Sequence, residues 1–317
     1  MSIWKLGNRY ILRILDKPDE ITAVEDLQRV VWPGDETEVI PAHLMLAAVH
    51  NGGLLIGAYE NSASEGAETL SSFSPPGTTS LPENARMVGF TFGFPGLYHT
   101  PQGPRPKHCS HMLAVHPDFR DQGLGFVLKR AQWQMVRHQG LDRITWTYDP
   151  LLSRNAHLNI TRLGAVCSTY LPDAYGQMRD GLNVGLSSDR FQVDWWINSE
   201  RVNLRLSLKP RRPLELVHYL EADIPLVNPS QLNKAGLPSP SGPFEIDPQA
   251  VMAMVEIPAD FLALKAADPS LAGEWRLHTR SIFMDLFQRG FLATDFVYLP
   301  GANARSFYIL SFGEATL

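Results

Sequence analysis

The stretch that decides the fold runs from Leu113 to Phe126 and reads LAVHPDFRDQGLGF. An apolar run leads into a His-Pro-Asp turn, and the chain then passes from Arg120 through two glycines into a long helical pattern. This order predicts a strand, a tight loop and a helix start. Unpaired N–H groups and the positive end of the helix dipole suit an anion there, above all a pyrophosphate. Glycine allows close backbone approach, and Arg120 adds a cation. The simpler alternative is a turn that only packs.

The surroundings of this loop favour the phosphate interpretation. A second strand is predicted at Ile144 to Tyr148, after the helix that the loop begins. The sequence has no G-x-x-x-x-G-K-[ST], which excludes a P-loop. It also has no G-x-G-x-x-G after the strand, so a dinucleotide-binding fold is not expected.

The composition is that of a globular protein with a sizeable core. The chain has 317 residues, of which 44% are hydrophobic and 19% charged. A net charge of −5 argues against a general nucleic-acid surface. With only Cys109 and Cys167, a disulfide framework is excluded and a reducing cytoplasm is the simplest location. We expect no signal peptide and no membrane span.

Hydrophobic periodicity and turn residues predict the element order β-α-α-β-β-β-α-β-α-β-β over residues 10–197. Within it, residues 61–85 read as a surface loop, Thr100 to Lys107 as a proline-rich connection and Leu152 to Leu163 as a helix. From residue 199 onward we expect a smaller α/β extension. It would contain a strand at Leu214 to Tyr219 and a helical stretch interrupted near Pro269.

The loop and its flanks resemble motif A of the GNAT superfamily, the GCN5-related N-acyltransferases, whose R/Q-x-x-G-x-G/A loop holds the pyrophosphate of acyl-coenzyme A. The similarity extends to HMLAVHPDFRDQGLGFVLKRAQW, ITWTYDPLLSRNAHLNITRLGAV and YLPDAYGQMRDGLNVGLSSDRFQVDWW. It points to a bacterial branch linked with N-acylamino acid metabolism. The resemblance implies an α/β (α+β) GNAT fold, with a mixed central sheet and helices on both faces. We expect a GNAT domain over 1–198 and the extension over 199–317. The extension lacks R-x-x-G-x-G and should bind no second coenzyme.

The resemblance also implies which residues hold acetyl-CoA, or another acyl-CoA such as succinyl-CoA. The backbone next to the pantetheine arm and around the pyrophosphate would come from Leu113, Ala114, Val115, Arg120, Asp121, Gln122, Gly123, Leu124, Gly125 and Phe126. The second motif of the family is imperfect here. Ile160 stands where many members have Tyr, and Ser153 stands where Asn is frequent. Asn155 and Asn159 are substitute coenzyme contacts, or equally polar residues of a helix surface.

Acyl transfer also needs an acid for the leaving thiolate and a base for the amine. Tyr175 is our first replacement for the missing Tyr, the alternative being a half-buried aromatic. His111 alternates with Leu113 and Val115 and would share their face, either as a base or as a structural histidine. Neither cysteine has a His-Asn signature, so both are expected to be buried small hydrophobes.

Three charged residues are candidates for binding the acceptor substrate. Asp149 follows a predicted strand and would bind the substrate amine, unless it is a turn residue. Arg179 and Arg190 would meet a carboxylate, unless they only cement a loop or a dimer contact. No HExxH or paired CxxC occurs, so we expect no metal.

The sequence therefore predicts a cytoplasmic N-acyltransferase that acts on a primary amine of a small molecule, with an amino acid as one candidate. A non-catalytic acyl-CoA-binding or sensor protein on the same fold is the main alternative. A protein-modifying acetyltransferase is a third alternative, and it is less favoured because nothing in the sequence marks a peptide groove. We expect no nucleic-acid or membrane partner and leave a homodimer open.

Overall fold

The computed structural model describes residues 10–34, 36–60, 85–176, 185–207 and 212–313. The described chain forms two compact units, one ending at Thr145 and the other beginning at Trp146. The boundary expected between residues 198 and 199 lies inside the second unit, and it stays a prediction. The loop expected at 61–85 falls almost wholly outside the described residues.

The first unit is built on a mixed sheet. Its described elements, in chain order, are β1 (Tyr10–Ile14), α1 (Pro18–Val31), α2 (Ala42–His50), β2 (Leu54–Glu60), β3 (Met87–Thr100), β4 (Gly103–Val115), α3 (Leu124–His138) and the start of β5 (Arg143–Tyr148). Strands β1 to β4 are antiparallel neighbours, and β4 and β5 run parallel. The prediction of a mixed sheet is confirmed here.

Helices cover both faces of this sheet. α1 starts at Pro18, which suits a first helical turn, and buries Ile21, Val24 and Leu27 at helical spacing. These side chains pack with Phe90 of β3 in one core cluster. The opposite face of β3 meets α3. At Gly89, a Cβ would lie 3.1 Å from Leu128 Cδ1 and 3.2 Å from Leu124 Cδ2, so glycine permits the close helix-sheet approach.

The hairpin of β3 and β4 is longer than the sequence indicates. The connection predicted at Thr100 to Lys107 is wrong, because Thr100 pairs with Gly103 and the strands continue from there. Pro104 and Pro106 lie opposite His99 and Leu97, before the register with β5 begins at His108. Proline is tolerated in a strand where its missing N–H faces no neighbour.

The second unit contains the remaining elements. Those described are the end of β5, α4 (Ser153–Ala156), β6 (Val166–Leu171), β7 (Arg190–Trp196), α5 (Glu200–Arg205), α6 (Leu216–Glu221), β8 (Gln231–Leu232), β9 (Pro238–Ser239), β10 (Met252–Ile257), α7 (Phe261–Ala267), α8 (Pro269–Gln288), β11 (Phe291–Leu299) and β12 (Arg305–Phe312). Its sheet has the order β7-β6-β11-β12-β10. A π-helical segment, His157–Arg162, directly continues α4. The predicted order of elements up to residue 197 is confirmed, and so is the interruption between α7 and α8.

The strand predicted at Leu214 to Tyr219 is wrong, since α6 occupies most of it. Tyr219 is buried against Met254 and Ile309, and the Glu215 N–H donates to His218 Nδ1 at 3.1 Å at the helix start. Burial of one side chain per turn overrides the β propensity of so short a segment.

Aromatic rings form much of the second core. Phe191 of β7 meets Phe283 and Phe287 of α8 and Tyr308 of β12, with ring centroids between 4.7 and 5.3 Å apart. Large rings bury much apolar area and fix helix against sheet. Among the described residues, no helix has both the length and the apolar character needed to cross a membrane.

Candidate functional site

The predicted phosphate loop, Arg120–Phe126, connects β4 to α3 in the first unit. A short 3-10 turn, Pro117–Phe119, leads into it, and Phe119 is buried. Gly123 is the N-cap of α3 with φ 80°, in the left-handed region that glycine adopts readily. The N-cap residue Gly123 has no side chain that could cap this helix, and the first turn contains no acidic residue. Such a helix start is compatible with a bound anion.

Hydrogen bonds fix the shape of the loop. The Tyr10 hydroxyl donates to Gln122 Oε1 at 3.0 Å, and Gln122 Nε2 donates to the Asp118 carbonyl oxygen at 3.0 Å. The Tyr10 ring also lies edge-on to Phe119. The side chain of Gln122 thus holds the loop in place, which leaves any ligand contact of this residue to its backbone.

Two arginines lie at the loop. Arg120 is exposed, and its Nε donates to the Val115 carbonyl oxygen at 3.4 Å. Arg86 Nη2 lies 2.7 Å from His116 Nε2 and 3.7 Å from Asp118 Oδ2. The motif predicted Arg120. It gave no sign of Arg86, which precedes β3 and reaches the loop only through strand pairing.

Strand β4 presents part of its backbone away from β3. The His116 N–H donates to the Val88 carbonyl oxygen at 2.9 Å, so these two residues form a hydrogen-bonded pair. Hydrogen-bonded and non-hydrogen-bonded pairs alternate along an antiparallel ladder. Ala114, opposite Phe90, therefore also turns its backbone toward β3, while Leu113 and Val115 turn theirs to the other edge. Of the three residues predicted for the pantetheine arm, Leu113 and Val115 have the suitable direction.

The described pairing of β4 with β5 is short. It comprises His108 with Ile144 and Cys109 with Thr145, although β4 continues to Val115. A β-bulge lies just beyond, where Phe92 pairs with Met112 and the next pair is Gly93 with Ser110. A bulge bends the strand that contains the extra residue. The strand thus departs from the β5 register immediately before the residues predicted to bind the coenzyme.

His111 is the extra residue of that bulge. Its ring lies against Phe92 and Phe94, with centroids 6.3 and 5.8 Å apart. The expectation that His111 shares a face with Leu113 and Val115 is wrong, because the bulge interrupts the alternation on which it rested. Partial burial lowers the pKa of His111 below its ordinary value, which favours the neutral imidazole.

In the second unit, Tyr175 is exposed and its hydroxyl is held. The hydroxyl lies 2.6 Å from Thr147 Oγ1 of β5, and the Arg190 guanidinium carbon lies 5.4 Å from the ring centroid. The Tyr175 N–H donates to Ser188 Oγ at 2.9 Å. An accessible phenol in a fixed position can donate a proton to a ligand. Arg190 itself is buried and donates to the Asp189 carbonyl at 2.9 Å.

Asp149 has another role than the predicted one. Its two oxygens accept from Arg276 Nη1 and Nη2 at 2.7 and 2.5 Å, and Oδ1 also accepts from the Leu151 N–H at 2.9 Å. The carboxylate is buried in this bidentate ion pair. The prediction that it binds the substrate amine is therefore withdrawn in favour of the turn role.

The remaining candidates are spread over the second unit. Asn155 of α4 is half-buried, and Asn159 is buried in the π-helical segment that follows. Single π turns inside helices are frequent at functional sites. Arg179 lies outside the described residues. Burial raises the pKa of Cys167 well above its ordinary value, which leaves its thiol a poor nucleophile. No group of acidic, His or Cys side chains in the described ranges could hold a metal ion.

No protein-family model matches the sequence, and no curated protein sequence matches it. Solved structures do match. The NAA60 protein of Arabidopsis thaliana, solved with a bisubstrate analogue, is 14% identical, with a TM-score of 0.42 over 60% of this chain and 99% of its own. A GNAT-family acetyltransferase from Desulfovibrio desulfuricans is 16% identical, with a TM-score of 0.40 over 59% of this chain and 99% of its own.

A third match is the ribosomal-protein-S18-alanine N-acetyltransferase from Escherichia coli, 12% identical, with a TM-score of 0.40 over 60% of this chain and 95% of its own. All three similarities are distant.

Proposed function

We propose that this chain is a GNAT-type acyl-CoA-dependent N-acyltransferase. It would transfer an acetyl or succinyl group to the primary amine of a small molecule, an amino acid being the first candidate, by direct transfer in a ternary complex. The observation that carries the proposal is the arrangement of backbone groups along one path, from the end of strand β4 to the start of helix α3. Leu113 and Val115 turn N–H and C=O groups away from β3, and the chain then reaches a helix start without a side-chain cap, next to Arg120.

This path suits the two chemical parts of coenzyme A. An extended amide-containing arm pairs with strand edges as a peptide does. A pyrophosphate binds at a helix N-terminus, where N–H groups and the dipole both favour negative charge. Arg120 adds a positive charge that the described residues do not neutralise with a carboxylate. The loop residues would act mainly through backbone N–H groups, because the side chain of Gln122 is already bonded.

The chemistry requires two proton movements. The amine nitrogen forms a bond to the thioester carbonyl carbon, the carbon–sulfur bond breaks, and the thiolate accepts a proton while the nitrogen loses one. We assign the role of proton donor to Tyr175. This residue is exposed, and its hydroxyl is within hydrogen-bonding distance of Thr147 Oγ1. His111 stays the base candidate because it is an exposed histidine at the bulge directly before Leu113, and its ring lies against Phe92 and Phe94. Arg190, beside the Tyr175 ring, would favour an acceptor or acyl group with a carboxylate.

Calorimetric titration with coenzyme A, acetyl-CoA and succinyl-CoA tests the proposal, followed by turnover assays with free amino acids. Binding with an acyl preference and turnover of a free amine would support it. Binding without turnover of any amine would favour the non-catalytic sensor. Absence of binding to all three compounds would overturn it.

The Tyr175→Phe variant tests the proton donor. We expect kcat to fall roughly 100-fold, within the range typical of general acid catalysis, while the Kd for acetyl-CoA changes little. Tyr298→Phe is the matched control, because Tyr298 is also an exposed tyrosine of the second unit. Unchanged kcat in Tyr175→Phe would remove Tyr175 from the mechanism.

A further inference from the structure

A buried polar network connects α3 to β4 inside the first unit. Lys129 Nζ donates to Ser110 Oγ at 2.8 Å and to Gln132 Oε1 at 3.3 Å, and Ser110 Oγ donates to Gln132 Oε1 at 2.9 Å. Gln132 Nε2 lies 3.2 Å from His108 Nε2. All four side chains are at most 5% exposed. The network joins two residues of a helix to two residues of a strand.

The protonation states of this network are constrained by burial. Burial lowers the pKa of Lys129 well below its ordinary value, and burial with a contribution from Lys129 lowers the pKa of His108 to about 3. A neutral His108 accepts at Nε2 from the Gln132 amide and keeps its proton on Nδ1. The donors and acceptors then match from Lys129 to His108 Nε2, whereas His108 Nδ1 is buried without a hydrogen-bond partner among the described residues.

The sheet leaves space for this network at one glycine. A Cβ at Gly93 of β3 would lie 2.2 Å from His108 Nε2 and 2.6 Å from the Cys109 carbonyl oxygen. Gly93 is also the partner of Ser110, directly beside the bulge. Any larger residue there would displace the His108 ring, so the neighbouring strand is fitted to the network.

The network lies directly before the strand segment that is proposed to bind the coenzyme. It holds β4 at His108 and Ser110, where the register with β5 ends and just before the bulge residue His111. On the helix side, Lys129 follows the start of α3 by about one and a half turns. A bulge alone leaves the direction of the strand beyond it adjustable, whereas a second attachment to the helix fixes that direction.

We propose that Lys129 is a positioning residue, which fixes the strand segment Leu113–Val115 relative to the phosphate loop by bonding Ser110 and Gln132. The proposal rests on the proposed function, since these two segments are assigned to the two parts of coenzyme A. In this role Lys129 acts through Ser110 and Gln132. Its effect is to let both parts of one molecule bind at once.

The test compares whole coenzyme A with its two fragments. When two parts of a ligand are linked, the second contact forms at a high effective concentration, provided that both sites are at the right distance and angle. The Lys129→Met variant keeps a similar length and apolar stem, and it leaves Ser110 free to bond Gln132. We expect its Kd for coenzyme A to rise about tenfold or more, while the Kd values for 3′-phospho-ADP and for pantetheine each change less than about twofold.

A second measurement reports on the strand without any ligand. Amide hydrogen exchange at Ala114, whose N–H faces β3, should become faster in Lys129→Met, because local opening requires fewer bonds to break. Ile282→Val, in α8 of the second unit, is the control for general loosening, and it should leave exchange at this amide and the Kd for coenzyme A nearly unchanged. Ser110→Ala offers the same comparison if Lys129→Met does not fold.

Each result has one meaning. An equal loss for the 3′-phospho-ADP fragment and the whole coenzyme would show that Lys129 only supports the loop, and would overturn the proposal. An unchanged Kd for coenzyme A in a folded Lys129→Met variant would do the same. If wild-type protein binds neither coenzyme A nor its fragments, the proposed function fails first. Faster exchange at Ala114 in Lys129→Met would then still support the structural part.

Discussion

The start of α3 in the first unit differs from the starts of α7 and α8 in the second unit in what already occupies it. In the first unit, α3 begins after Gly123, and no side chain caps it. In the second unit, α7 and α8 begin after Asp260 and Asp268, whose carboxylates accept from the N–H groups of Ala263 and Leu271, each at 3.0 Å. An N-cap carboxylate satisfies an orphan donor and lies at the positive end of the dipole. A helix start of the second kind has little left to offer a phosphate.

The arginines of the two units show the same difference. Arg120 forms no ion pair with the described residues, and its Nε donates to the Val115 carbonyl oxygen. Arg276 and Arg280 each hold a carboxylate with two nitrogens, Asp149 and Asp189 respectively. These two positive charges are committed to the fold of the second unit. This agrees with the expectation that the extension over 199–317, which also lacks R-x-x-G-x-G, binds no second coenzyme.

The test with the largest expected effect gives helix α3 a side-chain N-cap. Gly123→Asp places a carboxylate at the N-cap of α3, as in α8, and directly beside the expected pyrophosphate. Like charges in contact cost several kcal/mol, so the Kd for coenzyme A should rise by roughly 1,000-fold or more. Calorimetric titration measures this, and circular dichroism checks that the helix content is kept.

Gly140→Asp is the matched control for that variant. Gly140 follows the other end of α3 with φ 76°, and a Cβ there would meet nothing within 4 Å. The two substitutions introduce the same charge at nearly the same backbone strain. Coenzyme binding that survives in Gly123→Asp, or is lost equally in both variants, would show that the loop is a packing turn.

The second test removes an arginine that forms a buried ion pair. Arg276→Met leaves the buried Asp149 carboxylate without its partner, and removing one member of a buried pair typically costs about 3–5 kcal/mol. Urea unfolding followed by tryptophan fluorescence should show a loss of this size. Arg289→Met is the control. Its ion pair with Asp285 is more exposed than the Arg276–Asp149 pair, at 41% and 35% for the two side chains, so we expect a loss of about 1 kcal/mol or less. Equal losses would mean that Asp149 is not held mainly by its charge partner.

Local signals predicted most of the fold. The element order up to residue 197 follows from periodicity and turn residues, and the break before α8 follows from Asp268-Pro269. The errors arose where distant partners decide. The hairpin from Thr100 to Gly103 forms because two strands pair, and α6 forms because Tyr219 enters a core made by β10 to β12. Neither partner is visible in a short window of sequence.

The candidate site shows the same limit. The loop Arg120–Phe126 could be predicted because its motif is contiguous. A bulge at His111, a carboxylate-arginine pair at Asp149 and a lysine buried under β4 involve residues far apart in the chain. Lys129 stands among apolar positions of α3, but an inward-facing lysine cannot be distinguished from a surface lysine by spacing alone. Only the glycine at 93 hints at close approach.

The test with the smallest expected effect removes the side-chain N-cap of a helix in the second unit. Asp268→Ala removes the N-cap of α8, which should lower the free energy of unfolding by about 1 kcal/mol because the Leu271 N–H loses its acceptor. Ser281→Ala, on the exposed face of the same helix, should cost nothing or stabilise slightly. The Kd for coenzyme A should stay at the wild-type value in both variants. A second coenzyme equivalent bound by Asp268→Ala would show that removing a carboxylate is enough to make a phosphate site, and that neither the glycine N-cap nor the uncommitted arginine is required.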